Sequence, residues 1–425
     1  MALDKVTTGV ITDDAVTGAK IENNPTVAGN LTVAGTSTLT GNATASGNVT
    51  VTGDIVPSTP FSHRNLIING AFQVWQRSNS TSLETVANNN LKADRFKLNS
   101  DIQASDLTCA RSTDVPAGQG FTNSMNVVPG GADTSIAAGH IATIVQFIEA
   151  QDLQHLCYGT SNAKSLTLSF WVKTNLTGSH SVSFVKDDST AYACPIEYTV
   201  SAANTWEKKE ITLSPTAGST SLITSAAGAI ANDNGRGLAV CWNLAAGSTY
   251  QGTNNTWQAG PASGYGLATS NVQNFVGSTS NNIYLTGVQL EVGSSTTPFE
   301  HRTYADEIQR CYRYFQNIQY VGSWGNGTGK CRTTTSAYTS CDLLAPMRVA
   351  PTTITLPTIG QAEFNITYLN GEAYPGTHGS MQSTQASPYS VWIHLHNFST
   401  IGAGTTSVTW AYIHSSCNFK FDAEL

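Results

Sequence analysis

Aromatic and amide side chains concentrate in residues 242–275 of this sequence. A sugar ring stacks on a flat apolar surface while its hydroxyl groups need hydrogen bonds, so exposed aromatic faces beside Asn and Gln are typical of glycan binding. Trp257 stands in the sequence GTNNTWQAG, whose polar composition predicts a loop. The candidate glycan-binding residues of this stretch are Trp257, Asn254, Asn255, Gln258 and Tyr265, and the same stretch contains Trp242, Tyr250 and Gln251.

A second glycan-binding candidate is Trp324, which lies in the glycine-rich sequence GSWGNGTG. For both Trp257 and Trp324 the alternative is that the indole is half-buried in the core or in an interface. Trp171 and Trp206 belong to strand-like runs, and we expect them in the core.

The sequence His394-Leu395-His396 is the clearest metal-ligand pattern. Two residues apart on a strand, both imidazoles face the same side. In a threefold trimer the pair would offer six nitrogen atoms, an octahedral set for a transition metal. The alternative is two exposed or hydrogen-bonded histidines, and we expect no other cofactor.

Catalytic motifs are missing from the sequence: it contains no GxSxG, no HExxH and no phosphate-binding loop. Glycan cleavage would need two carboxylates about 5 to 9 Å apart. The neighbouring acids Glu207 with Glu210, and Asp187 with Asp188, stand in surface-like contexts. We therefore expect no enzyme, although carboxylates from distant strands or subunits could still converge.

The composition favours β-structure. Charged residues make up 12% of the 425 residues, while Gly, Ser, Thr and Asn abound. The net charge of −7 and the isoelectric point near 5.7 argue against nucleic acid or an anionic membrane as a partner. We expect no signal peptide, because the start Met1-Ala2-Leu3-Asp4-Lys5 does not read as one, and no transmembrane segment, because no apolar run approaches the length of a membrane span.

Residues 25–54 consist of five copies of a hexad: PTVAGN, LTVAGT, STLTGN, ATASGN and VTVTGD. Threonine holds the second place and glycine the fifth in every copy, which predicts a short strand and a corner repeated five times. Because one such strip cannot bury its apolar edge alone, the repeat predicts a trimeric β-prism or β-helix stalk over residues 25–60. The alternative is a flexible linker.

The rest of the chain divides by pattern. Residues 1–24 carry a five-residue rhythm, and we expect them to be an anchoring segment or, alternatively, disordered. Many short alternating runs separated by turns predict an antiparallel β-sandwich over residues 61–302. These runs are residues 122–128, 141–148, 165–173, 181–186, 195–200, 206–213, 237–244 and 282–292.

A change of period near Thr303 predicts a helix over residues 303–316. Thr303 and Asp306 fit a capping box, and Ile308, Cys311 and Phe315 recur at helical spacing. This helix is expected to link the sandwich to a C-terminal β-rich tip domain, residues 317–425.

Several sequence stretches resemble bacteriophage tail fibre proteins that carry a carbohydrate-binding-module-like jelly roll after a slender stem. The stretches are NLIINGAFQVWQR with ADRF, SLTLSFWVK, GVQLEVGSSTTPFEHRTYADEIQRCYRYF, APMRVAPT and FKFDAEL. The resemblance implies a homotrimeric virion fibre that attaches to host surface glycans. No glycan-binding residue carries over from that family. Trp75 and Asp94 match recurring positions, where a core aromatic and a partner for Arg95 are implied.

The sequence thus predicts an all-β fibre with four parts after its anchor: stalk, jelly roll, linking helix and tip domain. The predicted function is host-cell attachment through surface glycans. The expected partners are two further copies of the chain, a baseplate or other virion protein at residues 1–24, and a host glycan. The predicted location is the virion, after assembly in the host cytoplasm. A purely structural head or baseplate decoration is one alternative, and a glycan-cleaving spike is another.

Overall fold

The computed structural model describes most of the chain after residue 61. The described residues are 33, 37, 44, 62–78, 80–86, 90–102, 107–259, 266–319, 328–333, 336–356, 364–367, 373–375, 380–396, 408–413 and 418–425. The chain divides into two units between residues 56 and 57. The predicted anchor, and the predicted stalk apart from three positions, lie outside the described residues.

Two antiparallel sheets form a β-sandwich between residues 84 and 292. Sheet A has six strands in the order β1-β4-β5-β13-β7-β10, and sheet B has seven in the order β12-β9-β8-β11-β6-β3-β2. Sheet A comprises β1 (Glu84–Val86), β4 (Leu107–Ser112), β5 (Ser124–Pro129), β7 (Leu166–Thr174), β10 (Glu207–Leu213) and β13 (Ile283–Val292). Sheet B comprises β2 (Asn90–Leu91), β3 (Lys97–Ser100), β6 (Ile141–Glu149), β8 (Gly178–Lys186), β9 (Tyr192–Val200), β11 (Arg236–Ala246) and β12 (Gln258–Ala259).

Alternation along the strands builds the core between the two sheets. Leu166, Leu168, Phe170 and Val172 of β7 are all fully buried, as the period-2 pattern predicts. Phe170 meets Trp242 of sheet B edge-to-face, with ring centroids 5.7 Å apart. The prediction of an all-β sandwich is confirmed, and the order of strands is consistent with a jelly roll.

The segment before the first strand joins the two sheets through buried amides. The Asn65 side chain accepts hydrogen bonds from the backbone of Ile67 and Leu290 and donates one to Val288 O in sheet A. Ile68 forms two hydrogen bonds with the Gln146 amide in sheet B. A side chain on Gly70 would collide with the Val288 carbonyl, so this close approach requires glycine.

Two further sheets follow the sandwich. Sheet C has the order β14-β23-β17, and sheet D has the order β19-β18-β22-β15-β16-β21-β20. Sheet C comprises β14 (Phe315–Gln319), β17 (Thr353–Thr355) and β23 (Asn418–Asp422). Sheet D comprises β15 (Thr328–Thr333), β16 (Ser336–Asp342), β18 (Phe364–Thr367), β19 (Ala373–Pro375), β20 (Ser380–Ala386), β21 (Ser390–His396) and β22 (Val408–Ile413). In the described part of the chain, no helix has the length and hydrophobicity of a membrane span.

The linking helix α1 (Tyr304–Tyr312) is shorter than predicted. The Thr303 hydroxyl accepts a hydrogen bond from Asp306 N at 3.2 Å, which confirms the predicted cap. The helix does not continue to residue 316, because Phe315 begins strand β14 and pairs with Asp422. The spacing of Phe315 matches a helix, but its pairing with the distant strand β23 determines its conformation.

An ionic cluster at the edge of the sandwich holds the end of the chain. Arg95, whose side chain is 2% exposed, forms an ion pair with Glu424 and lies over the Tyr314 ring. Arg77 contacts Asp422 at 3.1 Å and Glu424 at 3.4 Å, and its guanidinium lies over Phe315. The C-terminal strand is therefore attached to the sandwich by buried charges.

Asp94 has a different partner from the one implied by the family resemblance. Its carboxylate accepts hydrogen bonds from the Gln76 backbone and side chain and lies 3.6 Å from Arg77, so the expected pairing with Arg95 is wrong. Arg95 instead has a left-handed backbone (φ 72°) and pairs with Glu424. Burial raises the pKa of Asp94 to about 6, although Arg77 and Gln76 act in the opposite direction. Trp75 is buried, in agreement with a core role.

A second ion pair joins the end of α1 to sheet B. The Arg313 guanidinium donates two hydrogen bonds to the fully buried Glu149 carboxylate, at 2.6 and 2.7 Å. Arg348 donates to Asn234 O and to Ala423 O, and so contacts both the sandwich and the end of the chain.

We expect Arg95→Ala to lower the free energy of unfolding by about 3 kcal/mol, because it leaves the Glu424 carboxylate poorly compensated in a buried site. Urea unfolding followed by tryptophan fluorescence measures this change. The control is Lys208→Ala, which removes the exposed pair with Glu210 and should cost less than about 1 kcal/mol. Equal effects of the two substitutions would contradict a structural role for the buried cluster.

Candidate functional site

A groove of about 220 Å³ crosses the outer face of sheet B, on the side away from the core. It runs over four neighbouring strands, β3, β6, β11 and β8. Cross-strand pairing places Phe147, Ala239 and Val185 in one row, and Val145, Cys241 and Ser183 in the next. A third row contains Asn99, Thr143, Asn243 and Ser181.

Small side chains form the floor of this groove. Val145, Ala239 and Cys241 make a buried cluster against which Phe147 and Val185 pack. These residues alternate along β6 and β11 with core residues such as Ile144 and Trp242. Because the floor residues are short, the sheet surface is recessed between larger side chains at its two ends.

One end of the groove combines an aromatic ring with charged groups. The Arg236 guanidinium lies 4.0 Å from the Phe147 ring centroid, and it also pairs with Asp187 at 3.6 Å. Burial raises the pKa of Asp187, and Arg236 opposes this effect. Asp187 lines the groove and supplies carboxylate oxygen atoms that accept hydrogen bonds.

Tyr250 forms the opposite end together with Asp101 and Leu267. The Tyr250 backbone carbonyl accepts hydrogen bonds from the amides of Leu267 and Ala268, which fixes this loop beside the sheet. Asp101 is held by Ile141, whose backbone N–H donates to Asp101 Oδ1 at 2.6 Å. Burial and the nearby Asp101 charge raise the pKa of Tyr250, so its phenol keeps its proton.

The groove is chemically suited to binding. It offers an aromatic ring and a carboxylate at each end, and the Asn99 amide lines it, a combination that can recognise a sugar. The thiol on its floor is a poor nucleophile, because burial raises the pKa of Cys241 to about 12. Within the residues that the structure describes, no group of three or more His, Cys, Asp or Glu side chains could hold a metal ion.

Trp257 does not lie in this groove. Its side chain is 1% exposed, and its indole N–H donates to Ser214 O at 2.9 Å. Its backbone N–H donates to Ala217 O. The expectation of an exposed aromatic face is wrong. Hydrogen bonds to residues 214–217 hold the loop, and the indole points into the core.

The amides around Trp257 are engaged within the fold. Asn254 Oδ1 accepts a hydrogen bond from Glu197 N, and Asn255 adopts the left-handed conformation of a tight turn. Both ends of the Gln258 amide bond to backbone atoms of Thr253. These interactions shape the loop, so the structure does not assemble the predicted site. Tyr265 and Trp324 lie outside the described residues.

Trp171 and Trp206, which we expected in the core, are half-buried instead. The Trp206 indole N–H donates to Asp114 Oδ1 at 2.9 Å. Both residues border sheet A, away from the groove on sheet B.

The histidine pair of β21 is only partly described. The His394 ring is 8% exposed and stacks on the Tyr338 ring, with centroids 4.2 Å apart. The side chain of His396 lies outside the described residues. A metal ion shared between copies of the chain stays a prediction.

The acidic pairs considered for catalysis have structural partners. Glu207 accepts hydrogen bonds from the backbone of Ser201 and Ala202, and Glu210 pairs with Lys208. Asp188 accepts a hydrogen bond from Ala231 N. These contacts give Glu207, Glu210 and Asp188 a structural partner each.

A larger cleft of about 700 Å³ lies between α1 and the entry to the sandwich. Two of the arginines that line it are already paired, Arg302 with Glu300 and Arg313 with Glu149. Its side chains stabilise the junction, and the groove on sheet B remains the better candidate.

The sequence contained a usable indication of the groove. Strands β6 and β11 are apolar on both faces, which predicts that both faces are covered or recessed. Tyr250 belongs to the aromatic stretch selected above, whereas Phe147, Asp101 and Asp187 come from separate strands and loops. The register of sheet B, together with the hydrogen bonds that hold the Asp101 and Tyr250 loops, brings these four residues to one place.

Comparison with known proteins gives distant structural matches only. No protein-family model matches the chain, and no curated protein matches it. One solved structure is the enzymatically active domain of bacteriophage CBA120 tailspike protein 4, with 14% identity and a TM-score of 0.26; the match covers 54% of this chain and 21% of that one. Another is TmCBM61 in complex with β-1,4-galactotriose, with 11% identity, a TM-score of 0.24, and 54% and 99% of the two chains covered.

A third match is a family 11 carbohydrate-binding module from Clostridium thermocellum in complex with a mixed-linked tetrasaccharide. It has 11% identity and a TM-score of 0.23, and the match covers 52% of this chain and 100% of that one. TM-scores this low do not establish a relationship, so we interpret the groove from the residues of this chain.

We expect Trp257→Ala to lower the free energy of unfolding by about 3–5 kcal/mol, because it leaves a cavity in the core. Thermal and urea unfolding measure the change. The matched control is Trp392→Ala: that indole is 48% exposed, so its truncation should cost much less. An unchanged stability of Trp257→Ala would show that the indole is not core packing.

Proposed function

We propose that the groove on sheet B binds glycans. The observation that carries this proposal is the recessed floor of small side chains between two ends, one with Phe147 and Asp187 and the other with Tyr250 and Asp101. A saccharide can place a ring face on Tyr250 while its hydroxyl groups donate to the carboxylates. Hydrogen bonds to an ionised acceptor are stronger than those between neutral groups, which favours ligands with free hydroxyl donors.

The size of the groove restricts the ligand. Its volume of about 220 Å³ is below the roughly 300–1,000 Å³ of pockets for drug-sized ligands. We therefore propose that it takes a short saccharide segment, such as the end of a surface polysaccharide. One shallow site of this kind binds weakly.

At the level of the whole chain, we propose a trimeric phage tail fibre that attaches to the host cell. Support comes from the resemblance of residues 64–425 to such fibres and from the hexad register of residues 25–54. Val33 in that repeat is 51% exposed in the single chain, as expected for an apolar residue that neighbouring copies would cover. Three copies would raise avidity without new contacts. We also propose that residues 1–24 attach the fibre to a baseplate or other virion protein.

A glycan array probed with the full chain tests the groove. We expect Tyr250→Ala to weaken binding roughly tenfold or more, the effect of losing a central aromatic contact, while Tyr250→Phe keeps most of it. The control is Tyr304→Ala, which truncates a 57% exposed tyrosine on α1, outside the groove. Equal binding by wild type and Tyr250→Ala would overturn the proposed site.

The same array separates the alternative functions. Release of reducing sugar from a bound polysaccharide would identify a glycan-cleaving spike instead of an attachment fibre. Absence of binding to any array glycan and to host cells would favour a purely structural decoration.

We expect light scattering on the full chain to give a mass near three chains. Val33→Asp and Val51→Asp should lower the trimer fraction, because each places a charge in the proposed shared core. Thr32→Asp is the matched control, since strand alternation puts it on the opposite face. A monomer for the wild-type chain would contradict the trimeric stalk.

A further inference from the structure

The two faces of β21 in sheet D differ: one carries buried apolar residues, and the other carries the exposed indole of Trp392. Along β21, Val391 and Ile393 are 0% and 2% exposed, whereas Trp392 between them is 48% exposed. Cys341, the partner of Val391 on β16, is also buried. Because side chains alternate along a strand, Trp392 lies on the face opposite to Val391 and Ile393, which it shares with the buried His394.

Antiparallel pairing determines which residues share that face with Trp392. Ser340 of β16 pairs with it on one side and Gln385 of β20 on the other. In the next row, Tyr338 pairs with His394, and their rings stack at 4.2 Å with an interplanar angle of 14°. We call Trp392, Tyr338, His394, Ser340 and Gln385 the sheet D platform.

Trp392 is the exposed ring of the platform, and Tyr338 and His394 lie beside it. The Tyr338 ring lies 6.3 Å from Trp392 at 60°, so it stands beside the indole and does not stack on it. Gln385 is exposed, and Ser340 is half-buried. An exposed indole therefore lies between a hydroxyl and an amide side chain.

We propose that the sheet D platform is a second glycan-binding site, which stacks one neutral sugar ring on Trp392. The apolar face of a hexose matches one indole, and hydroxyl and amide groups can both donate to and accept from sugar hydroxyls. Neither Ser340 nor Gln385 carries a charge that would select an ionic ligand. A neutral sugar is thus the ligand that the flanking residues fit.

The size of the apolar feature favours a sugar over a protein partner. A stable protein interface buries roughly 800 Å² on each side. The exposed indole of Trp392, even together with the exposed Tyr389 and Leu344 at the adjoining strand ends, is a smaller apolar surface than that. A sugar ring needs only such a small platform, and a second site on each chain adds to avidity.

This proposal does not depend on the groove of sheet B. Trp392 lies on sheet D, whereas Tyr250 and Phe147 belong to the sandwich. Each site can therefore be removed separately, and a failure of one leaves the other testable.

Fluorine NMR on the full chain labelled with fluorotryptophan tests the platform. The resonance of Trp392 is assigned as the one missing from Trp392→Phe. Titration with cellobiose, lactose and maltose should shift this resonance while that of the buried Trp257 stays unchanged. If the Trp392 resonance still shifts in Tyr250→Ala, a second site is supported. If the shift is lost in that variant, the binding belongs to the groove and the proposal is overturned.

Affinity measurements on the glycan array complete the test. We expect Trp392→Ala to weaken binding to neutral glycans roughly tenfold, with Tyr304→Ala as the exposed aromatic control. A circular dichroism spectrum identical to wild type confirms that the variant is folded. No shift with any sugar, or an equal affinity of Trp392→Ala, would overturn the proposal. Dissociation of the oligomer by Trp392→Ala would do so as well, because the indole would then be a contact between copies.

Discussion

The burial of Arg95 against Glu424 is the interaction on which the arrangement of the sandwich and the C-terminal sheets depends. A guanidinium that is 2% exposed must have a fixed counter-charge, and among the described residues Glu424, near the end of the chain, supplies it. Arg77, Asp94 and the Arg313–Glu149 pair extend this cluster on both sides. Strands β14 and β23 are consequently held beside the end of β6 in sheet B, so sheet C is anchored on the same framework as the groove.

Sheet B serves two purposes with its two faces. Its inner face carries Trp242, which packs against Phe170 and Phe96 in the centre of the core. Its outer face carries small residues at the alternating positions, which leaves the recess between Phe147 and Tyr250. The rigidity of a packed core therefore supports the groove directly, as a binding surface built on strands requires.

Loops contribute to this surface only where the sheet holds them. Tyr250 is positioned by backbone hydrogen bonds to residues 267 and 268, and Asp101 by its bonds to Ile141 at the edge of β6. The Trp257 loop is held equally firmly, but against Ser214 and Ala217, so it is directed into the protein. Polar composition thus identified a loop correctly and yet gave no information about the direction of its aromatic side chain.

The alternation of apolar residues in the sequence was sufficient to predict the β-sandwich, most of its strands and the inward face of β7. Strand periodicity is a local property of the chain and can be read without the fold. The cap of α1 was predictable for the same reason. Only the tertiary structure decided the partner of Arg95, which is 329 residues away, and the conversion of Phe315 from helix to strand. It alone brought Phe147, Tyr250, Asp101 and Asp187 to one groove. Such choices depend on strand register and on contacts between distant segments, and a local pattern carries no information about either.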